Sequence, residues 1–195
     1  MSTKGAHVKG TDGSDFSFRQ KVASHYQISA NYKFYLKCMF ALHLAVLTFM
    51  WAKVGSEVLK TSFGITYPLF ERLNLPLAYH WEYVWCLSFI PPLLGMLSFK
   101  KNNLVLMRYH YYGQFVVGVL PCAVGLGEQI PELIGFLRDM EGYETPTFKG
   151  TFPMVILWFI FFILAFQINL FSMYCGSILI NCWSGKYNKA PKKTE

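Results

Sequence analysis

Charged side chains are scarce in this sequence, and several long stretches contain none. Only 15% of the 195 residues are charged, whereas 53% are hydrophobic and 18% are aromatic. A soluble domain of this size distributes its apolar residues between charges at helix or strand period, but this chain collects them in uncharged blocks. The composition therefore excludes an ordinary soluble domain and indicates a membrane protein.

The motifs of common catalytic and metal sites are also missing. The 5 cysteines include no CxxC motif and no pair in a polar loop, so neither a zinc site nor a loop disulfide is predicted. The 5 histidines are too scattered for a histidine-box enzyme, and GxSxG and glycine-rich phosphate loops are absent. We expect no enzyme, and therefore no catalytic, cofactor-binding or metal-binding residue.

Four apolar blocks are long enough to cross a hydrocarbon core of ~30 Å. The predicted spans lie near residues 38–56, 83–99, 109–127 and 152–175. The expected fold is an all-α membrane domain, residues 38–185, between an N-terminal segment, residues 1–37, and a basic tail, residues 186–195. The first 37 residues lack the apolar segment of a signal peptide, so the first span is expected to direct insertion.

Lys and Arg are distributed unevenly about these spans. Thirteen lie in the N-terminal segment, the loop between spans two and three and the tail, whereas five lie in the other two loops. Because cytosolic segments carry the excess of basic residues, both termini are expected to be cytosolic. The net charge of +7 then lies mainly on one face, where it favours anionic lipid headgroups of the bilayer rather than nucleic acid.

Several polar side chains interrupt the apolar blocks. The two alternatives for them are a transport path and hydrogen bonds between packed helices, and both concern His43, Gln114, Gln167 and Asn169. At the end of span one, Lys53 and Glu57 are four residues apart and are expected to form an interfacial pair.

Prolines and glycines predict local features of the spans. Pro91 and Pro92 lie inside span two and predict a kink. Pro131 predicts the start of a short helix over residues 132–140 in the acidic third loop. Span three is rich in small residues, which favour close helix approach.

The opening stretch GTDGSDFSFRQKVASHYQIS, residues 10–29, is polar and predicts a helix. Asp12-Gly13 marks a turn, and the helix is expected to begin near Phe16 after a cap at Ser14 or Asp15. Phe18, Val22 and Tyr26 recur at four-residue spacing, as in an amphipathic helix lying on the cytosolic leaflet. These residues alone do not distinguish a membrane-resting arm from a docking site for another protein.

The order of motifs along the chain resembles the Jagunal family. The opening GTDGSDF, Arg19, VA at residues 22–23 and HYQIS at residues 25–29 are similar to the cytosolic opening of that family. Three further motifs resemble the second span of that family and the loop after it: WEY at residues 81–83, LLGMLSF at residues 93–99 and NN at residues 102–103.

This resemblance implies a non-enzymatic, multi-pass protein of the endoplasmic-reticulum membrane. Members of the family are needed for reticulum organisation and for vesicle-mediated transport in the early secretory pathway, and the family offers no catalytic residue to carry over. We expect a cytosolic interaction surface for an unidentified protein partner, formed by Asp12, Asp15, Arg19, His25 and Tyr26.

The tail ends in NKAPKKTE, with Lys192 and Lys193 fourth and third from the carboxyl end. This arrangement is similar to the dilysine retrieval signal that the COPI coat binds. The alternative is that both lysines only add to the positive charge of the cytosolic face.

Two other functions are considered beside the organiser. A small channel or transporter requires a water-accessible path that reaches His43 or Gln114. A membrane-embedded lipid enzyme requires at least two titratable groups that converge at one depth.

Overall fold

The computed structural model describes residues 14–73, 75–139, 142 and 144–184, which are mostly helical. The helices are α1 (Ser14–Phe63), α2 (Pro68–Leu73), α3 (His80–Trp85), α4 (Ile90–Phe99), α5 (Leu104–Gly113), α6 (Leu120–Arg138) and α7 (Met154–Trp183). A 3₁₀ turn, Cys86–Phe89, joins α3 to α4, and a π-helical segment, Gln114–Val119, joins α5 to α6. The short strands β1 (Thr147–Phe148) and β2 (Phe152–Pro153) pair antiparallel.

Four helical stretches of the described chain are long and apolar enough to cross a membrane. They are Ser24–Phe63, His80–Phe99, Leu104–Arg138 and Met154–Trp183. The predicted all-α architecture with four candidate spans is therefore confirmed.

The N-terminal segment does not form the separate amphipathic helix that the sequence predicted. Instead, α1 runs unbroken over 50 residues. At 1.5 Å per residue this is about 75 Å, more than twice the thickness of a hydrocarbon core. Residues 14–54 contain neither Gly nor Pro, so no residue type in that stretch favours a break before the first span.

The prolines of α4 and α6 act differently. The kink predicted at Pro91 and Pro92 stays a prediction, but the helix type changes at that place, because α4 begins directly after the 3₁₀ turn and holds both prolines in its first turn. The short helix predicted after Pro131 is wrong, since Pro131 lies inside α6, which continues to Arg138. Pro131 removes one backbone donor there without ending the helix.

The bundle has two ends, which differ in what they contain. At the terminal end, the N-terminal half of α1 meets the end of α7 and the turn between α4 and α5: Trp183 Nε1 donates to Ser29 Oγ at 3.0 Å, and Lys33 Nζ donates to the carbonyl of Phe99 at 3.2 Å. At the loop end, the backbone N–H of Lys149 donates to the carbonyl of Leu73 at 2.9 Å. Both described chain ends thus lie on the same side of the bundle.

Two apolar clusters form the interior. The loop-end cluster is aromatic and centres on Trp81, Trp85, Trp158 and Phe162, whereas the terminal-end cluster contains Leu36, Phe40, Met107, Cys175 and Leu179. Glycines allow the close contacts that the sequence predicted in span three. A Cβ atom at Gly125 would lie 2.6 Å from the ring of Trp81.

Candidate functional site

The N-terminal part of α1, which we call the arm (residues 14–33), is fixed to the bundle by polar contacts with the end of α7. Beside the Trp183–Ser29 hydrogen bond, the Sγ of Cys182 lies 3.3 Å from Nε2 of His25. Ser29 and Cys182 are both buried. The inner end of the arm, residues 24–33, is therefore part of the packed bundle and not a loosely attached segment.

Lys33 connects three elements at the terminal end. Its Nζ donates to the Phe99 carbonyl at 3.2 Å and to Asn102 Oδ1 at 2.6 Å, and it lies 5.4 Å from the centre of the Trp183 ring. Asn102 adopts a φ of 49°, in the left-handed region that asparagine tolerates better than most residues. Asn103 then caps α5, because its Oδ1 accepts from the backbone N–H of Val105 at 3.0 Å.

The residues expected to form a cytosolic interaction surface are distributed as follows. Tyr26 is 70% exposed, whereas His25 is half-buried against the end of α7. Asp15 and Arg19 lie on α1, and their side chains are not described. Asp12, like Lys192 and Lys193 of the tail, lies outside the described residues.

A buried ion pair at the loop end replaces the interfacial pair that the sequence predicted. Lys53 does not pair with Glu57; its Nζ donates to both carboxylate oxygens of Glu82 at 2.7 Å. Lys53 is 8% exposed and Glu82 is fully buried. The Nζ also lies 4.8 Å from the ring centre of Trp158, where the ring faces favour a cation.

Backbone and side-chain donors complete this ion-pair network. The backbone N–H of Tyr79 donates to Glu82 Oε1 at 3.0 Å, and that of Ala78 donates to Glu57 Oε2 at 2.5 Å. The hydroxyl of Tyr83 donates to Glu57 Oε1 at 3.4 Å. Glu57 thus fixes the loop before α3, while Glu82 fixes α3 to α1.

Three of the four polar span residues form hydrogen bonds between helices. The side-chain amide of Gln114 donates to Asn169 Oδ1, and Asn169 in turn donates to the carbonyl of Ala165 at 2.7 Å. His43 Nε2 is hydrogen-bonded to Ser88 Oγ at 2.9 Å. These contacts fit the packing alternative, and the fourth residue, Gln167, is exposed.

Sequence reasoning missed a further polar contact, centred on His110. Its Nδ1 donates to the carbonyl of Pro91 at 3.0 Å, and the Ser172 hydroxyl lies 3.4 Å from its Nε2. The Pro91 carbonyl lies in the first turn of α4, and the N–H groups that Pro91 and Pro92 lack would have donated to carbonyls of the preceding turn rather than to this one.

Within the described residues, no three His, Cys, Asp or Glu side chains are grouped as a metal site requires. The cysteines are all in the thiol form, with Cys122, Cys175 and Cys182 buried.

Comparisons with known proteins agree with this arrangement of motifs. A family model described as "Jagunal, ER re-organisation during oogenesis" matches residues 1–187. The chain belongs to the Jagunal family. It is 55% identical to "Protein jagunal homolog" of Caenorhabditis elegans over 184 residues, which cover 94% of this chain and 97% of the relative.

More distant relatives align over a similar length. "Protein jagunal" of Drosophila melanogaster is 31% identical over 192 residues, 95% of this chain and 96% of the relative. "Protein jagunal homolog 1" of Homo sapiens is 30% identical over 182 residues, 93% of each chain. The relatives therefore match the arm, the four candidate spans and the loops together.

The sequence motifs that carried the resemblance have structural roles. In WEY, Trp81 packs in the loop-end core, Glu82 pairs with Lys53 and Tyr83 donates to Glu57. The NN motif supplies the acceptor for Lys33 and the cap of α5. Both motifs fix span two to its neighbours.

Proposed function

We propose that this chain is a multi-pass protein of the endoplasmic-reticulum membrane that supports reticulum organisation and vesicle-mediated transport in the early secretory pathway. It acts without catalysis, through protein contacts at its terminal end, which faces the cytosol. The observation that carries the proposal is the family match over residues 1–187, under a description of reticulum re-organisation.

The arm supports a role in protein contacts. Its inner end is held by the Trp183–Ser29 hydrogen bond and by Lys33, so its direction relative to the bundle is set before a partner binds. A pre-ordered surface loses less conformational entropy on binding than a flexible one. Tyr26 is 70% exposed on this arm, and tyrosine is enriched at protein interfaces.

The polar groups of the bundle support an organiser over a transporter or an enzyme. Lys53 and Glu82 neutralise each other, and the amides of Gln114 and Asn169 are hydrogen-bonded to one another. A transport path or a reacting site needs polar groups that are available to a substrate. These four side chains contact one another across helices, and of their polar atoms only Gln114 Oε1 is buried without a hydrogen-bond partner among the described residues.

Rescue of cells that lack the protein tests the role of the arm. The test variants are a deletion of residues 10–23, which spares the contacts of Ser29 and Lys33, and Tyr26→Ala in the full chain. The matched control is Tyr109→Ala, because Tyr109 is 61% exposed on α5. We expect both test variants to insert at normal abundance but to lose rescue of reticulum morphology and cargo export, whereas the control rescues fully.

Full rescue by the deletion would refute the proposed role of the arm. Loss of the protein itself would instead assign the arm to folding of the bundle, which also contradicts the proposal.

Protease protection in sealed microsomes tests the orientation. The excess of basic residues at the terminal end predicts that tags on both termini are digested without detergent. A tag at either terminus that is protected until detergent is added would overturn the cytosolic placement.

A further inference from the structure

One side of α7 carries an exposed stripe with the spacing of a coiled-coil seam. Ile160, Leu164, Gln167, Phe171 and Tyr174 follow one another at steps of four, three, four and three residues. Its four apolar members are between 45% and 60% exposed. A repeat of 3.5 residues keeps such a stripe in contact with a second helix along its whole length.

Gln167 is the exception in this stripe, because it is polar. It lies nine residues after Trp158, which contacts Lys53 at the loop end, and twelve residues before Leu179 in the terminal-end core. These separations correspond to about 14 and 18 Å along the helix, which places Gln167 near the middle of the bilayer.

The amide of Gln167 makes no hydrogen bond with a described residue. The exposed hydroxyl of Thr48 differs in this respect, since it donates to the Leu44 carbonyl at 2.8 Å. An amide that faces hydrocarbon without a partner is unfavourable, and polar side chains in spans are usually paired across helices. Gln167 therefore requires a partner from outside this chain.

Apolar grooves lie along the stripe on both sides of Gln167. Towards the loop end, α1 and α7 enclose a groove of about 490 Å³ that is lined by Leu164 and Phe49. Towards the terminal end, a second groove of about 320 Å³ is lined by Phe171 and Tyr35. Side chains of an adjacent helix can enter such holes, as knobs do in helix pairs.

We propose that α7 is a self-association surface, on which a second copy of this chain packs with Gln167 paired to its own counterpart. Two copies inserted in the same orientation are related by a two-fold axis along the membrane normal, so a residue on the axis meets itself at equal depth. A glutamine amide has both a donor and an acceptor, and two of them pair reciprocally. One polar residue in an apolar seam also fixes the register of the helices.

Energy transfer between donor- and acceptor-labelled full-length chains in liposomes, measured over a range of protein-to-lipid ratios, tests this proposal. We expect the unchanged chain to form dimers that dissociate on lipid dilution. Gln167→Leu is expected to weaken association about tenfold, which corresponds to about 1.4 kcal/mol for the reciprocal amide pair. Gln167→Asn keeps an amide and is expected to retain part of the association.

Phe171→Ala tests the groove contacts, and Phe115→Ala is its matched control. Phe115 is 44% exposed but lies on the π-helical segment, away from the stripe. Phe171→Ala is expected to weaken the dimer, and Phe115→Ala is not. Circular dichroism of the Gln167→Leu chain should show unchanged helix content, because the substitution removes a polar group from lipid.

Several results would overturn the proposal. The first is that the unchanged chain is monomeric at every protein-to-lipid ratio. The second is that the Gln167→Leu chain associates as strongly as the unchanged chain. The third is that Phe115→Ala and Phe171→Ala weaken association equally. Pairing of α7 with another protein while the purified chain stays monomeric would also refute it.

Discussion

Replacing Lys53 by methionine is expected to be among the most destabilising single changes at the loop end. Lys53→Met preserves much of the side-chain volume but leaves the carboxylate of Glu82, which is fully buried, without its cation. Breaking a buried ion pair from one side costs about 3–5 kcal/mol, because the remaining charge is uncompensated. The contact of the ammonium group with Trp158 is lost as well.

The double variant Lys53→Met/Glu82→Gln separates the pair from its surroundings. It removes both charges, and an uncharged replacement of a buried ion pair is often neutral. We therefore expect the double variant to be more stable than Lys53→Met alone, because the Tyr79 N–H can still donate to the carbonyl oxygen of the amide introduced at position 82. Lys60→Met is the control, because Lys60 is an exposed lysine on the same helix.

Thermal unfolding in detergent, followed by tryptophan fluorescence, measures these effects. At ~2–4 °C per kcal/mol for a chain of this length, Lys53→Met should lower the Tm by about 6–20 °C. Lys60→Met should leave the Tm within about 2 °C of the unchanged chain. If Lys53→Met lowers the Tm no more than Lys60→Met does, the buried Lys53–Glu82 pair does not stabilise the bundle as argued. The same follows if the double variant is less stable than Lys53→Met alone.

Two further predictions concern the bundle interior and the tail. A Cβ atom at Gly118 would lie 2.7 Å from Asn169 Oδ1, so Gly118→Ala should cost ~1–3 kcal/mol in detergent unfolding, whereas Gly127→Ala, with no atom within 4 Å of its Cβ, should not. Equal effects would contradict the close helix contact. Changing Lys192 and Lys193 to Ser should let part of the protein reach the Golgi, as seen by imaging against a Golgi marker; an unchanged distribution would leave the two lysines as membrane-facing charge.

The sequence was sufficient for the number of spans and for the interruption at the proline pair in span two, but it did not indicate the π-helical segment Gln114–Val119. Hydropathy is a property of each segment alone, so the uncharged blocks are recognisable without knowing their neighbours. The proline pair in span two is also a local signal, and the 3₁₀ turn before Pro91 follows from it.

The partners of the polar residues could not be predicted in the same way. Lys53 is four residues from Glu57, and this helical spacing suggested a local pair, but the carboxylate that it binds belongs to another helix. The choice depends on which face of α1 is turned towards α3, and that is a property of the packed bundle. Likewise, nothing in the single sequence distinguished the buried Asn169 from the exposed Gln167 two residues earlier.

Two lysines of α1 bind polar groups near opposite ends of span two. Lys33 binds the carbonyl of Phe99 at the end of that span, and Lys53 binds Glu82 near its start. They are twenty residues apart, or about 30 Å along the helix, which equals the thickness of the hydrocarbon core. With both lysines at the boundaries, the helix from Lys33 back to Ser14 extends about 28 Å beyond the core. Because the same helix is fixed at both ends of span two, we expect a partner that binds the arm to act on the whole bundle rather than on a loose tail.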